Sequence, residues 1–252
     1  MHRAIAAMVR AVYPARCMAC DTYTDAPQGL CPDCWRDTHF ISGSTCTTCS
    51  APLVGEVEGA QCDTCLAFPP PWRRGIAVLE YDGGGRKMVL ALKRHDRLDL
   101  APALAKWMQR AAGPILAGAD IVAPVPLHPS RLLRRKFNQS AELARPLAAA
   151  AGCTYVPDLL TRVRKTAPQM GKDRIERLDN LKAAITPTAR HRDLMVQKRV
   201  LLVDDVLTTG ATLSACTEAC YAAGARNVNI LVLARVEPRQ KTAIFEATNI
   251  KD

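Results

Sequence analysis

Aromatic residues make up only 5% of this 252-residue chain, no apolar run approaches eighteen residues, and 24 acids face 34 lysines and arginines. The missing apolar run excludes a membrane-spanning helix. The shortage of rings leaves few platforms on which a nucleobase can stack. The excess of bases gives a formal net charge of +10 and a pI near 9.2, which favours polyanionic partners without specifying one. No lysine follows Gly210, so the Gly-x-x-x-x-Gly-Lys-Ser/Thr loop of nucleoside triphosphate binders is excluded. Residues 1–16 are broken by Arg3 and Arg10 and lack an apolar core before a small-residue cleavage site, so no secretory signal is expected and the chain reads as cytoplasmic.

What is present is most telling at 200–212, VLLVDDVLTTGAT. Residues 200–203 form a short β-branched apolar run, the pattern of a strand covered on both faces. Asp204 and Asp205 fall at its carboxyl end, where open α/β sheets bind ligands. Leu207, Thr208, Thr209, Gly210, Ala211 and Thr212 then form a small, hydroxyl-bearing loop before a helix expected over 213–223. Such a loop aims backbone N–H groups and a helix dipole at one phosphate. The vicinal carboxylates suit the two adjacent hydroxyls of a ribose. The competing view is that these residues merely end a strand and cap a helix, with threonine as N-cap. The order strand, acid pair, loop, helix resembles the phosphoribosyl pyrophosphate motif of type I phosphoribosyltransferases.

Eight of the eleven cysteines form four Cys-x-x-Cys pairs: Cys17 and Cys20, Cys31 and Cys34, Cys46 and Cys49, Cys62 and Cys65. Two pairs complete a tetrahedral site with Zn–S near about 2.3 Å, so eight thiolates suit two structural zinc ions. A disulfide framework or a redox pair are the alternatives. Neighbouring or alternate pairs can share an ion; neighbours need the smaller loop closures. Cys153, Cys216 and Cys220 read as small apolar residues, and His39 as an exposed loop residue.

Pro69, Pro70 and Pro71 form a stiff connector. They divide the chain into a zinc module at 1–68, opened by an amphipathic helix with Ile5, Met8, Val9 and Val12 on one face, and an α/β domain at 69–252. Strands are expected at 76–81, 120–126, 159–163 and 227–234, and helices at 86–94, 100–110 and 130–151, the last kinked by Pro146. A parallel sheet follows from this alternation.

Two basic stretches complete the candidate site. Arg131, Arg134, Arg135 and Lys136 crowd the turn after the 120–126 strand, with Asn138 and Gln139 beside them. Arg131, Arg135, Asn138 and Gln139 are candidate pyrophosphate contacts; the alternative is a solvated helix face with Leu132, Leu133 and Phe137 turned to the core. Arg162, Arg164 and Lys165 open a polar segment and are candidate catalytic cations for a departing pyrophosphate.

Taken in order, LCPDCW (30–35), YDG (81–83), LK (92–93), PVPL (124–127), RRKFNQ (134–139), KTAPQ (165–169), RLDN (177–180) and the acid-pair run strongly resemble the ComF family over nearly the full length. The resemblance implies an α/β, type I phosphoribosyltransferase-like domain preceded by a double zinc ribbon, with magnesium accompanying phosphoribosyl pyrophosphate through the ligand's own oxygens. It also implies a role in DNA uptake or processing, with single-stranded DNA and a DNA-uptake protein as partners. The alternative is an active transferase that passes phosphoribose to a nucleobase or other acceptor. One departure stands out: Lys136 occupies a position that is commonly glycine in the family. For the enzyme, the base-selecting side chain is expected within 235–241, which has no aromatic. For the DNA binder, Trp35, Phe40, Trp72 and Phe137 are the stacking candidates.

Overall fold

The computed structural model describes residues 14–25, 27–55, 59–94, 97–163 and 184–237. The expected N-terminal helix face and the cations Arg164 and Lys165 lie outside these residues.

Five parallel strands form the central sheet: β1 (Gly75–Glu80), β2 (Ile121–Pro124), β3 (Thr154–Tyr155), β6 (Arg199–Leu207) and β7 (Asn227–Arg235), in the spatial order β1-β7-β6-β2-β3. The strands β4 (Leu160–Arg162) and β5 (Ile185–Pro187) pair antiparallel in a separate small ladder. From β2 the chain moves outward to β3, and from β6 it moves the other way to β7. The order therefore reverses between β2 and β6, and the crevice beyond their carboxyl ends is the ligand position of such a sheet.

Among the described residues, seven α-helices accompany the strands: α1 (Pro32–Arg36), α2 (Asp63–Ala67), α3 (Gly83–Arg94), α4 (Ala101–Ala117), α5 (Pro129–Arg135), α6 (Gln139–Ala151) and α7 (Ala211–Ala222). Strand β6 shows why both faces must be covered. Leu201 and Val203 enter a core with Met88 and Leu92 of α3, Leu104 and Met108 of α4, and Leu143 of α6. Val200 and Leu202 enter a second core with Leu213, Cys216 and Cys220 of α7. All four of these β6 side chains are buried, as the unbroken apolar run requires.

Several boundaries differ from the sequence expectation. The helix expected at 130–151 is two helices, broken not at Pro146 but at Lys136, whose φ of 64° ends α5 in the left-handed region. Pro146 stays inside α6. Strand β6 runs on to Leu207, so the acid pair lies within its last turn of pleat rather than past its end. Helix α3 begins at Gly83 rather than at residue 86. Its glycines permit close packing: a Cβ on Gly84 would lie 2.0 Å from Thr38 Oγ1 and 3.2 Å from the Cys34 carbonyl oxygen.

That contact is part of a continuous junction between the cysteine-rich region and the sheet. The Glu80 N–H donates to the His39 carbonyl and the Ile41 N–H to that of Val78, each at 2.9 Å, so residues 39–41 run antiparallel beside β1. Further along, Trp72 Nε1 donates to the Thr48 carbonyl at 2.7 Å. Ser50 Oγ donates to Gly75 O at 3.0 Å and accepts from Ala77 N at 2.9 Å. No helix among the described residues is long and apolar enough to cross a membrane.

Candidate functional site

The eight paired cysteines gather as neighbours: Cys17, Cys20, Cys31 and Cys34 in one group, Cys46, Cys49, Cys62 and Cys65 in the other. The Sγ atoms of Cys20 and Cys31 are 3.7 Å apart, and those of Cys49 and Cys62 3.6 Å apart. Such separations exclude a disulfide, whose sulfurs sit near about 2.05 Å. They match the edge of a ZnS4 tetrahedron, about 3.8 Å for Zn–S of about 2.3 Å. Main-chain N–H groups of Ala19 and Cys31 point at Cys17 Sγ at 3.5 and 3.3 Å, the support a metal-bound thiolate needs. The donor set is closed, all sulfur, and suited to zinc as a folding cofactor. His39 belongs to neither group; it is exposed, and its Nδ1 lies 2.8 Å from Asp82 Oδ2, a contact that raises its pKa.

At the reversal point, Asp204 and Asp205 project from the end of β6. Ser140 Oγ, at the start of α6, donates to Asp204 Oδ1 at 2.8 Å, and the Asp205 N–H donates to the same oxygen at 2.9 Å. Loss of water, then the neighbouring Asp205 charge, pushes the Asp204 pKa up to about 7. Asp205 is 8% exposed and accepts Lys93 Nζ of α3 at 3.0 Å. The two carboxylates are thus held in different ways, one by neutral donors and one by a cation.

The loop after them departs from the competing view of a threonine cap. Gly210, with φ of 78°, is the N-cap of α7, which starts at Ala211 instead of residue 213. Glycine rather than threonine holds the cap position, in a left-handed turn that glycine adopts without strain, and Thr209 Oγ1 accepts from the Ala211 N–H at 3.4 Å. A Cβ there would also lie 2.9 Å from the Trp72 ring, so the loop is seated on the connector between the two regions. Thr208 and Thr209 are exposed, Ala211 and Thr212 half-buried, and Leu207 buried. The Thr208 and Thr209 hydroxyls and the first turn of α7 therefore follow directly on the acid-bearing end of β6.

Across the crevice, α5 has no buried residue: Leu132 and Leu133 are 43% and 82% exposed, contrary to the core-facing alternative. The helix stands off the sheet and carries exposed Arg131 and half-buried Arg135. Arg162, in β4, is half-buried; burial and then repulsion by Arg131 lower its pKa, and Asp204 attracts it. Arg162 thus feels both Arg131, from a separate element, and one member of the acid pair. Asn138 is engaged structurally: its Nδ2 donates to Val125 O at 3.0 Å and its Oδ1 accepts from Ser140 N at 3.1 Å. Gln139 is buried with Nε2 unpartnered among the described residues.

Sequence reasoning gave no role to Lys93 and Ser140, which hold the acids. Lys93 stood in the LK motif without a role and Ser140 in no motif, since each reaches Asp205 or Asp204 only through the fold. Trp72 is buried and hydrogen-bonded, so it is no stacking platform. Trp35 remains 59% exposed and packs on Phe40 at 5.3 Å between ring centroids.

Comparison with known proteins finds a double zinc ribbon domain over residues 8–66 and a phosphoribosyl transferase domain over 138–251. The DNA utilization protein YhgH of Salmonella typhimurium is 34% identical over 82% of this chain and 90% of its own. Competence protein F of Haemophilus influenzae is 27% identical over 87% of this chain and 96% of its own. Among solved structures, adenine phosphoribosyltransferase from Thermoanaerobacter pseudethanolicus aligns with 58% of this chain and 86% of its own at 16% identity, with a TM-score of 0.35.

Proposed function

The chain belongs to the ComF family, a double zinc ribbon joined to a phosphoribosyltransferase domain, and on that premise we propose that it binds phosphoribosyl pyrophosphate and acts on DNA during uptake or processing. The observation that carries the ligand is the acid pair at the reversal point of the sheet, followed by the loop and the start of α7. Asp204 and Asp205 accept the ribose hydroxyls, residues 207–212 take the 5′-phosphate, and Arg131 and Arg162 face the pyrophosphate.

Magnesium fits this arrangement in one way. Asp205 is engaged by Lys93, and Asp204 by Ser140 and a main-chain N–H. Among the described residues these acids offer no oxygen cage, so the ion would be held by the ligand's pyrophosphate and by waters, where it would neutralise phosphate charge.

Two relatives are named for DNA utilization and competence. For this chain, the net charge of +10 and the exposed Trp35 and Tyr23 of the cysteine-rich region support binding of single-stranded DNA. Thiolates reserved for metal suit a reducing compartment, and we place the protein in the cytosol. Transfer to an acceptor is the second reading, favoured by the nearness of Arg131 and Arg162, whose charges suit a departing pyrophosphate.

Calorimetry with phosphoribosyl pyrophosphate and magnesium, a pyrophosphate-release assay across nucleobases, and a single-strand titration at rising salt separate these readings. Binding without release supports the binding module; release supports transfer. Absent or salt-insensitive strand binding removes the DNA role.

A further inference from the structure

Arg235 is the last residue of β7 and is only 5% exposed. Its Nε is enclosed and unpartnered, and no ion pair or hydrogen bond engages its guanidinium among the described residues. Buried arginines are ordinarily paired, because an uncompensated buried charge is strongly destabilising. The natural partner is Glu80, which lies opposite Arg235 in the β1–β7 register. Yet the Glu80 carboxylate gathers with His39 and Asp82, their ligand atoms all within 4.8 Å of one another. The guanidinium is left for something else.

Its position says what. Arg235 lies opposite Leu207, the first residue of the phosphate loop, and the Val236 N–H donates to Leu207 O at 2.9 Å. The backbone of Arg235 is therefore about one strand spacing, about 4.8 Å, from the first residue of that loop, and its side chain is rooted there. It lies on the side of β6 away from β2, whereas Arg131 follows β2. Loop N–H groups already serve the 5′-phosphate, and the other arginines face the pyrophosphate. The described residues 227–237 also contain no aromatic ring on which a neutral base can stack.

Resting on the phosphoribosyl reading above, we propose that Arg235 anchors the anionic group of a second small ligand, one bearing a carboxylate or phosphate, bound beside the ribose. Charge takes the place of stacking in its selection. The site discriminates against neutral purines because they leave the buried guanidinium uncompensated.

The test uses the zinc-loaded full chain saturated with ribose 5-phosphate, titrated calorimetrically with orotate as the carboxylate probe, with methyl phosphate as the phosphate probe, and with adenine as the neutral one. At least one anionic probe is expected to bind about tenfold or more tighter than adenine. Arg235→Met loses that advantage, Arg235→Lys keeps part of it, and both keep wild-type affinity for ribose 5-phosphate. Because the wild-type charge is unpaired, Arg235→Met is expected to melt no lower than wild type. Equal binding of adenine and both anions, an unfolded or less stable Arg235→Met, or an equal loss of ribose 5-phosphate affinity overturns the proposal. Failure of wild type to bind ribose 5-phosphate at all overturns the phosphoribosyl reading with it.

Discussion

Lys136 holds a backbone conformation, φ of 64°, that glycine occupies without a Cβ penalty. Its left-handed turn splits the expected single helix into α5 and α6, and so lifts the arginine-bearing α5 off the sheet. Lys136→Gly is expected to stabilise the fold by about 1 kcal/mol, read as a higher denaturant midpoint at unchanged slope; a lower midpoint contradicts the strain. Asp204 makes a second prediction at this scale. Its pKa is raised to about 7, so between the ordinary carboxylate range and about pH 7 the native state binds a proton that the unfolded state releases. Stability is then highest below about pH 4 as far as this group is concerned, and falls as pH rises to about 7. Asp204→Asn is expected to remove that decline, and a parallel pH profile of melting temperature in both proteins refutes it. The acids themselves were legible in the sequence because they follow a buried-strand pattern. Their partners Lys93 and Ser140 were not, because a lysine on a helix and a serine in a first turn look the same whether or not an acid faces them.

At the scale of elements, the two thiolate groups are formed by loops that carry little apolar core of their own, and α1 and α2 are each five residues long. Helices so short do not persist without tertiary support. A metal bound at each thiolate group would therefore supply much of the folding energy of this region. Because residues 39–41 extend the sheet beside β1, and Ser50 and Thr48 hydrogen-bond to Gly75, Ala77 and Trp72, loss of zinc is expected to loosen β1 as well. Metal analysis should give two zinc ions per chain. Chelation should raise amide exchange at 39–41 and 75–80, and exchange confined to the cysteine loops contradicts the coupling. The cysteine spacing showed the two-ion arithmetic, and the shorter loop closures pointed to the observed pairing. The docking against β1 was not legible, since it is made by main-chain bonds and by the close approach at Gly84, which leave no periodic trace.

Across the whole molecule, alternating strand and helix patterns were enough to give a parallel sheet. The order β1-β7-β6-β2-β3 could not be read from them, because a buried apolar strand carries no mark of its neighbour. That order matters most for function, because it places the reversal point at β6 and gathers on one edge residues from α3, α5, α6, β4 and β7. It also sets Trp72 against Gly210, joining the connector to the phosphate loop. The proposed grip of Asp204 and Asp205 on a ribose 5-phosphate group at this edge can be measured by calorimetry of phosphoribosyl pyrophosphate with magnesium on wild type, Asp204→Asn and Asp205→Asn, each shown to be folded and zinc-loaded. Wild type is expected to bind in the micromolar range and each variant to lose about tenfold or more in affinity; unchanged affinity in both folded variants would rule that grip out.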